Sequence, residues 1–342
     1  MSKELIVIPG GGELSLVGFD ERVIKNLSDF ARDMPAFAKT TLKSMQSVLR
    51  QWSRWCEEMG YPYLPIQPEA CRAYLIGMHE DGKSVATVRQ HYSMLAKIHN
   101  HAGLEDLTKN QTVSLAMRRI TRNAVQQGER TGQAVPFRLT DLKRIAQVLD
   151  YYRVLADARD LAFLGVAYNT MLRIAEIGRI RLRDVQEGPE NRIVLRIAYT
   201  KTVLTTDGQI RTLSQETSAW LRNWIDKAGH TDPEAYVFSG VDRWGKPRKQ
   251  NAPLSNTTME SIFARAWFAV RGQPGAKDEK GRYAVWSGHS ARVGAAQDMA
   301  AKGIDPLIIM KQGGWKRLDM VMRYIRNLED ADNDFIKMIE QS

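Results

Sequence analysis

Apolar residues recur every three or four positions along the first third of the chain, which is the spacing of amphipathic helices. The clearest of these patterns predicts a helix whose N-cap is Thr40 or Thr41. Its apolar stripe consists of Leu42, Met45, Leu49, Trp52, Cys56 and Met59. Two further helices are predicted at about 84–102 and 112–127. Since no alternating strand pattern interrupts residues 20–127, this part is predicted to be all-helical.

The second half of the chain combines helical periodicity with one short alternating stretch. Residues 192–197 and 209–213 alternate and are rich in β-branched side chains, with a turn signal at Asp207 and Gly208. They predict a small antiparallel sheet among helices. The stretch 126–136 has two glycines, a proline and no hydrophobic period, which indicates an exposed linker.

These patterns predict a mainly α, two-domain protein. We expect a flexible segment at 1–19, a helical domain at 20–127, a linker at 128–136 and a mostly helical second domain at 137–342. The length of 342 residues agrees, because it corresponds to roughly two domains that can each bury a core.

Composition narrows the class of protein. Lys and Arg number 49 against 39 Asp and Glu, so the net charge is +10, which favours a polyanionic partner such as nucleic acid. A charged fraction of 26% and a hydrophobic fraction of 43% are those of an ordinary globular protein. The sequence has no apolar run long enough for a membrane span or a signal peptide, so we expect a cytoplasmic protein.

Motifs for metal and nucleotide chemistry are missing from the sequence. Its two cysteines, Cys56 and Cys71, lie in no zinc-ligand pattern, and no glycine-rich phosphate loop occurs. His99 and His101 could suggest a metal nuclease, but residues two apart on a helix point to different faces. We therefore predict neither a metal nor a cofactor.

Polar and basic side chains lie beside the apolar stripes of the three predicted helices in the first domain. Each stripe alone is typical of a solvated helix face, but three together favour a domain that grips DNA, since cations neutralise phosphates and amides read base edges. The candidate DNA-binding residues are Lys43, Arg50, Thr87, Gln90, Lys97, Arg118, Arg119 and Arg122.

Two fragments of the second domain combine charged and apolar residues in an unusual way. Arg173 and Glu176 are three apart, the spacing of a common surface ion pair, but the apolar neighbours of Arg173 favour an oxyanion partner. Further on, Ser290 is a suitable N-cap and puts Arg292 in the first turn of a helix. A cation there opposes the helix dipole, so the pattern indicates either a bound anion or a paired carboxylate elsewhere.

Two more candidates are a loop lysine and a helical tyrosine. Lys201 follows the first predicted strand, and a lysine in such a loop is usually solvated. Tyr324 lies between Arg323 and Arg326, and cations favour the phenolate that attack on phosphorus requires. The helix around it has a predicted buried stripe, formed by Leu318, Val321, Met322, Ile325 and Leu328.

Together these fragments resemble the tyrosine (integrase-type) site-specific recombinases. The family pattern is Arg, Lys, His-x-x-Arg, His or Trp, and Tyr, in that order. The matching residues are Arg173, Lys201, His289, Arg292, Trp315 and Tyr324. The flanking segments AFLGVAYNTMLRIAEI, WSGHSARVGAA, GGW and YIRNL also resemble phage-class members, and the similarity spans nearly all of the chain after the first twenty or so residues.

The resemblance implies a role for each matched residue. Tyr324 would attack a DNA phosphate and leave a 3′-phosphotyrosine, while Lys201 would protonate the leaving 5′-oxygen. Arg173, Arg292 and Trp315 would donate hydrogen bonds to the phosphate oxygens, and His289 would assist proton transfer. Glu176 would orient the site.

The resemblance also implies how the protein assembles. The two domains would form a C-shaped clamp around DNA at inverted-repeat sites, and four copies would join two sites through a Holliday junction without ATP or metal. The segment 333–342 would be a helix that docks on the next subunit. A phage or plasmid gene and the bacterial nucleoid are the expected context.

Two alternatives stay open at this level. A type IB topoisomerase uses nearly the same catalytic set for nicking and resealing, although the apolar C-terminal segment favours a recombinase. A catalytically idle DNA-binding protein is the other.

Overall fold

The fold is taken from a computed structural model, which describes residues 5–8, 12–15, 20–129, 132–197, 208–248, 251–273 and 285–329. For 5–8, 12–15 and 326–329 only the backbone is described. The chain separates into two compact units, Met1–Thr131 and Gly132–Ser342. The described parts of both units are mainly helical, so the predicted fold class is confirmed.

Five helices make up most of the first unit. They are α1 (Glu21–Asp33), α2 (Lys39–Met59), α3 (Pro68–Glu80), α4 (Val85–His101) and α5 (Gln111–Gln126). Side chains of Asp20, Ser84 and Asn110 cap α1, α4 and α5, because each accepts a hydrogen bond from an otherwise unpaired N–H of the first turn. The predicted helices at 84–102 and 112–127 are therefore confirmed to within one residue.

Two details of α2 differ from the prediction. The helix begins at Lys39 after Ala38, whose carbonyl accepts from the N–H groups of Thr41 and Leu42, so neither threonine is the N-cap. The buried stripe ends at Cys56, since Met59 in the last turn is 57% exposed.

The N-terminal segment contains a pairing that the sequence analysis missed. Strands β1 (Leu5–Ile8) and β2 (Gly12–Ser15) pair antiparallel, with Leu5 opposite Ser15 and Ile8 opposite Gly12. Residues 1–19 are thus not an unstructured segment throughout. The apolar run is short, so neither its length nor its period distinguished a strand from a loose end.

The second unit contains eight described helices and a three-stranded sheet. Its helices are α6 (Leu139–Val148), α7 (Leu155–Thr170), α8 (Ile174–Ile177), α9 (Gln215–Ala228), α10 (Asn256–Arg271), α11 (Ser290–Ala301), α12 (Pro306–Gly313) and α13 (Leu318–Glu329). Its strands are β3 (Val185–Glu187), β4 (Ile193–Ile197) and β5 (Gln209–Thr212).

The sheet is antiparallel in the order β3-β4-β5, with Leu195 opposite Val185 on one side and Arg211 on the other. The predicted pair 192–197 and 209–213 is confirmed. Strand β3 was missed because three residues are too few to show an alternating period. The connection 198–207, which carries Lys201, lies outside the described residues.

Helix α7 is the centre of the second unit. It is apolar nearly all round and buried on all sides, which is typical of a central helix. Close packing against α9 requires a small residue, because a Cβ at Gly165 would lie 2.9 Å from the side chain of Thr217. The Asp160 carboxylate accepts hydrogen bonds from Arg159 of α7 and Arg265 of α10, so this buried charge joins the two helices.

Helices α11 and α13 each differ from the prediction in one detail. The N-cap of α11 is His289, and Ser290 lies in the first turn, where its hydroxyl accepts from the N–H of Ser287. Leu318 begins α13 and is 42% exposed, whereas Val321 and Ile325 are buried as predicted. No helix in the described ranges is long and apolar enough to cross a membrane.

Candidate active site

The guanidinium of Arg292 lies at the centre of the candidate site and is almost fully buried, with 3% of the residue exposed. One nitrogen donates to the carbonyl of Met171 and another to the carbonyl of Gly313, at 2.9 Å for Gly313. The flat face stacks over the Trp315 ring at 4.8 Å. A buried charge needs such partners, because leaving it unpaired in the protein interior is costly.

Local backbone geometry brings these carbonyls to Arg292. Met171 ends α7 in the left-handed region with a φ of 54°, which strains a residue that has a Cβ. Gly313 ends α12, and the Trp315 ring packs so closely on it that a Cβ would lie 2.0 Å from the ring. Only glycine therefore allows the indole and the carbonyl to meet Arg292 together.

Arg173 and Glu176 form a second, adjoining pair. Arg173 is the N-cap of α8, and its backbone N–H and Nη1 donate to the two carboxylate oxygens of Glu176 at 2.9 and 3.0 Å. The Glu176 side chain is 5% exposed and that of Arg173 is 26% exposed. The spacing of three was correctly read as a contact, and burial distinguishes it from an ordinary surface ion pair.

The electrostatics of the pocket are those of an anion site. Burial, and after it the nearby charge of Arg173, lower the pKa of Arg292 to about 10, although Tyr324 and Glu176 act in the opposite direction. Arg292 is still protonated at neutral pH. Arg173 and Arg292 thus outnumber the buried carboxylate of Glu176, which leaves net positive charge for an anion to neutralise.

Tyr324 reaches this pocket from α13. Its ring centre lies 5.0 Å from that of Trp315, the ring on which the Arg292 guanidinium stacks. Val321 and Ile325 are buried, and this orients α13 so that Tyr324 is only half-buried. The phenol therefore lies where it can contact both the cations and solvent.

Two of the predicted site residues are less well defined. His289 lies at the start of α11, three residues before Arg292, and is exposed. Lys201 lies outside the described residues, so its position relative to the pocket stays a prediction.

Sequence reasoning missed one cation beside this site. Arg211 of β5 is partly buried, donates to the carbonyl of Thr170 and contacts Gln209. Burial lowers its pKa, while the negative charge of Glu176 raises it. An arginine in an alternating strand gave no signal of this position, because the packing of β5 against the end of α7 determines it.

Five of the eight candidate DNA-binding residues of the first unit fall into two groups. On one side of α4, Gln90 donates to Ser44 of α2. The face of α4 that carries Thr87 therefore lies next to the face of α2 that carries Lys43. On the other side, Arg118 and Arg122 of α5 line a groove of about 620 Å³ between α4 and α5. The others are Arg50 and Arg119, both exposed, and Lys97, which lies 4.3 Å over the Phe37 ring.

The fold is that of a known family. Residues 137–330 match the phage integrase family, so the chain belongs to that family, the tyrosine site-specific recombinases. The family predicted from the sequence is confirmed.

Among its relatives is the recombinase Cre of Escherichia phage P1, which is 38% identical over 343 residues covering 99% of each chain. A solved structure of the Tn1549 transposon integrase with circular intermediate DNA matches with a TM-score of 0.59 and 14% identity over 88% of this chain and 94% of that one. A solved structure of a lambda integrase dimer bound to a COC′ core site matches with a TM-score of 0.56 and 17% identity, over the same shares of the two chains. These structures share the fold.

The contact between Gly313 and Trp315 yields a test of the pocket. In Gly313→Ala the new methyl group must displace the indole, so we expect a loss of stability of about 1–3 kcal/mol and a slower cleavage reaction. Gly77→Ala is the matched control, since a Cβ there meets nothing within 4 Å and suits a helix. Denaturant unfolding and covalent-adduct formation on DNA measure both effects. Equal behaviour of the two variants would contradict the described packing.

Proposed function

We propose that the chain cleaves and rejoins DNA strands through a 3′-phosphotyrosine at Tyr324. The observation that carries the proposal is the meeting of Tyr324, Arg292 and Trp315 in one pocket of one chain. A nucleophile beside a buried, protonated guanidinium is suited to attack on a phosphodiester, because the cation stabilises the charge that develops on the phosphate oxygens.

The steps follow from the chemistry of these groups. The Tyr324 oxygen bonds to phosphorus, and the bond to the 5′-oxygen breaks. Lys201 gives a proton to that oxygen, and His289 accepts the proton of the phenol. Arg173, Arg292 and the indole N–H of Trp315 donate hydrogen bonds to the non-bridging oxygens of the transition state.

Glu176 has a positioning role in this scheme. Its carboxylate accepts from both the backbone and the guanidinium of Arg173, which orients that guanidinium toward the phosphate. Removing a buried carboxylate from between cations would raise their mutual repulsion.

The reaction requires neither ATP nor a metal ion in this proposal. The phosphotyrosine conserves the energy of the broken phosphodiester, so a second 5′-hydroxyl can attack it and reverse the step. Exchange of strands between two DNA sites then proceeds through a Holliday junction.

We further propose that the sites are inverted repeats, with one subunit on each half-site and a homotetramer on two joined sites. The basic and amide side chains of the first unit would hold DNA. Phosphate contacts by Lys43, Arg50, Lys97, Arg118, Arg119 and Arg122 would make binding strongly salt-dependent. Thr87 and Gln90, on the face of α4 that adjoins α2, are the candidates for reading base edges.

The role of Tyr324 as the nucleophile can be tested by removing its hydroxyl oxygen. Tyr324→Phe keeps the ring against Trp315 but has no oxygen to bond to phosphorus, so it should bind DNA normally and form no covalent adduct. The measurement is trapping on a nicked suicide substrate, resolved on a denaturing gel. A covalent complex with the phenylalanine variant would show that another residue attacks.

The proposed assembly has a separate test. Removing residues 333–342 should impair the joining of two DNA sites more than binding to one, because this segment is expected to dock on a neighbouring subunit. Native gel electrophoresis separates the two species. Unchanged synapsis by the shortened chain would refute this role. It would also remove the feature that favours a recombinase over a nicking and resealing enzyme.

A further inference from the structure

Two buried or half-buried amide side chains hold the backbone of the proposed nucleophile. Gln133 Nε2 donates to the carbonyl oxygen of Tyr324 at 3.0 Å, and Gln297 Nε2 donates to the same oxygen at 3.2 Å. Gln133 lies just after the boundary between the two units, whereas Gln297 belongs to α11. Two distant parts of the second unit therefore meet at one peptide group of α13.

The orientation of the Gln297 amide follows from its other partner. Arg138 Nη2 donates to Gln297 Oε1 at 2.9 Å. A guanidinium can only donate and a carbonyl can only accept, so the amide oxygen must face Arg138 and the amide nitrogen must face Tyr324. Gln297 is 3% exposed, so water does not compete freely for these bonds.

Arg138 is itself held in place. Its second nitrogen donates to Asp298 Oδ1 at 3.1 Å, and Asp298 Oδ2 accepts from the hydroxyl of Tyr168 at 2.6 Å. The backbone N–H of Leu139 donates to the same carboxylate oxygen at 2.8 Å. A chain of hydrogen bonds thus runs from α7 and the start of α6, through α11, to Tyr324.

Helix α11 supplies both ends of this arrangement. Arg292 stacks on the Trp315 ring that packs against the Tyr324 ring, and Gln297, five residues further on, contacts the carbonyl of Tyr324. The same helix therefore carries the guanidinium proposed to bind phosphate and the amide that holds the backbone of the proposed nucleophile. Reactions between groups held in place depend steeply on their alignment, and a misplacement of about 1 Å can cost about a hundredfold in rate.

We propose that Gln133 and Gln297 are positioning residues for the strand-cleavage step, which hold the Tyr324 peptide in register with Arg292. The inference rests on the proposed function of Tyr324. Arg138 serves the same end because it fixes the direction of the Gln297 amide.

The variants that test this replace a donor without changing shape. Gln297→Glu keeps the bond from Arg138 but turns a donating nitrogen into an accepting oxygen, which repels the Tyr324 carbonyl. Gln133→Glu makes the same change at a site that is only half-buried and so less critical for folding. The matched control is Gln215→Glu, where the amide donates to the carbonyl of Glu190 at 2.9 Å in an exposed position.

A spectroscopic readout reports the carbonyl directly. Tyr324 and Ile325 form the only Tyr-Ile pair in the sequence, so protein labelled with ¹³C-carbonyl tyrosine and ¹⁵N-isoleucine gives one correlated signal. Loss of a donor should shift the Tyr324 carbonyl resonance upfield in Gln133→Glu and Gln297→Glu but not in Gln215→Glu. An unchanged resonance in both site variants would overturn the proposal, whatever their activity.

The kinetic readout is single-turnover adduct formation on a nicked suicide substrate, measured at saturating DNA. We expect each site variant to cleave about tenfold more slowly, with half-site affinity unchanged, because the defect lies in alignment of the nucleophile. Cleavage by both variants at the parent rate would contradict the inference. If the parent protein itself forms no adduct, the proposed function of Tyr324 fails instead, and the carbonyl resonance still tests the contact.

Discussion

The burial of the Arg292 guanidinium is the constraint on which the site depends. A cation removed from water in this way needs hydrogen-bond acceptors in the protein. Here the carbonyls of Met171 and Gly313 accept hydrogen bonds from Arg292, while the Trp315 ring covers its face. Each partner requires an unusual backbone feature: Met171 is left-handed at the end of α7, and position 313 has no room for a Cβ. The end of α7, the end of α12 and the start of α11 are consequently held at one point.

The remaining parts of the site are arranged around that charge. Glu176 compensates part of it while holding Arg173. Tyr324 approaches from α13 with its ring against Trp315, and its carbonyl accepts from two amides. Because the guanidiniums beside Glu176 outnumber its single carboxylate, the pocket keeps positive charge that a phosphate can neutralise. The same cations that bind the phosphate would then stabilise its transition state, which explains how side chains alone could perform the chemistry in the proposed reaction.

Sequence patterns predicted α2, α4, α5 and the main sheet pair because hydrophobic period is a local property, and the order of a few polar residues indicated the family. They failed where geometry depends on contacts between distant segments. Arg211 lies in an ordinary strand and joins the site only through packing on α7, and Gln297 reads as one more polar helix residue until Arg138 and Tyr324 are seen beside it. Short elements such as β3 were missed for a different reason, since three residues carry no period. Ser290 and Thr41 were predicted as N-caps but lie inside their helices, because a backbone carbonyl can start a helix without a favoured side chain.

The central claim is that one chain supplies both the guanidiniums and the nucleophile that act on a single phosphate. Mixing Tyr324→Phe subunits with Arg173→Ala subunits on DNA with two half-sites tests it directly, because each variant lacks one half of the machinery. We expect no more covalent adduct from the mixture than from either variant alone, whereas mixing either variant with the parent protein should still yield adduct. Adduct formed by the mixture of the two variants would mean that the tyrosine of one subunit attacks in the pocket of another, and would contradict the account.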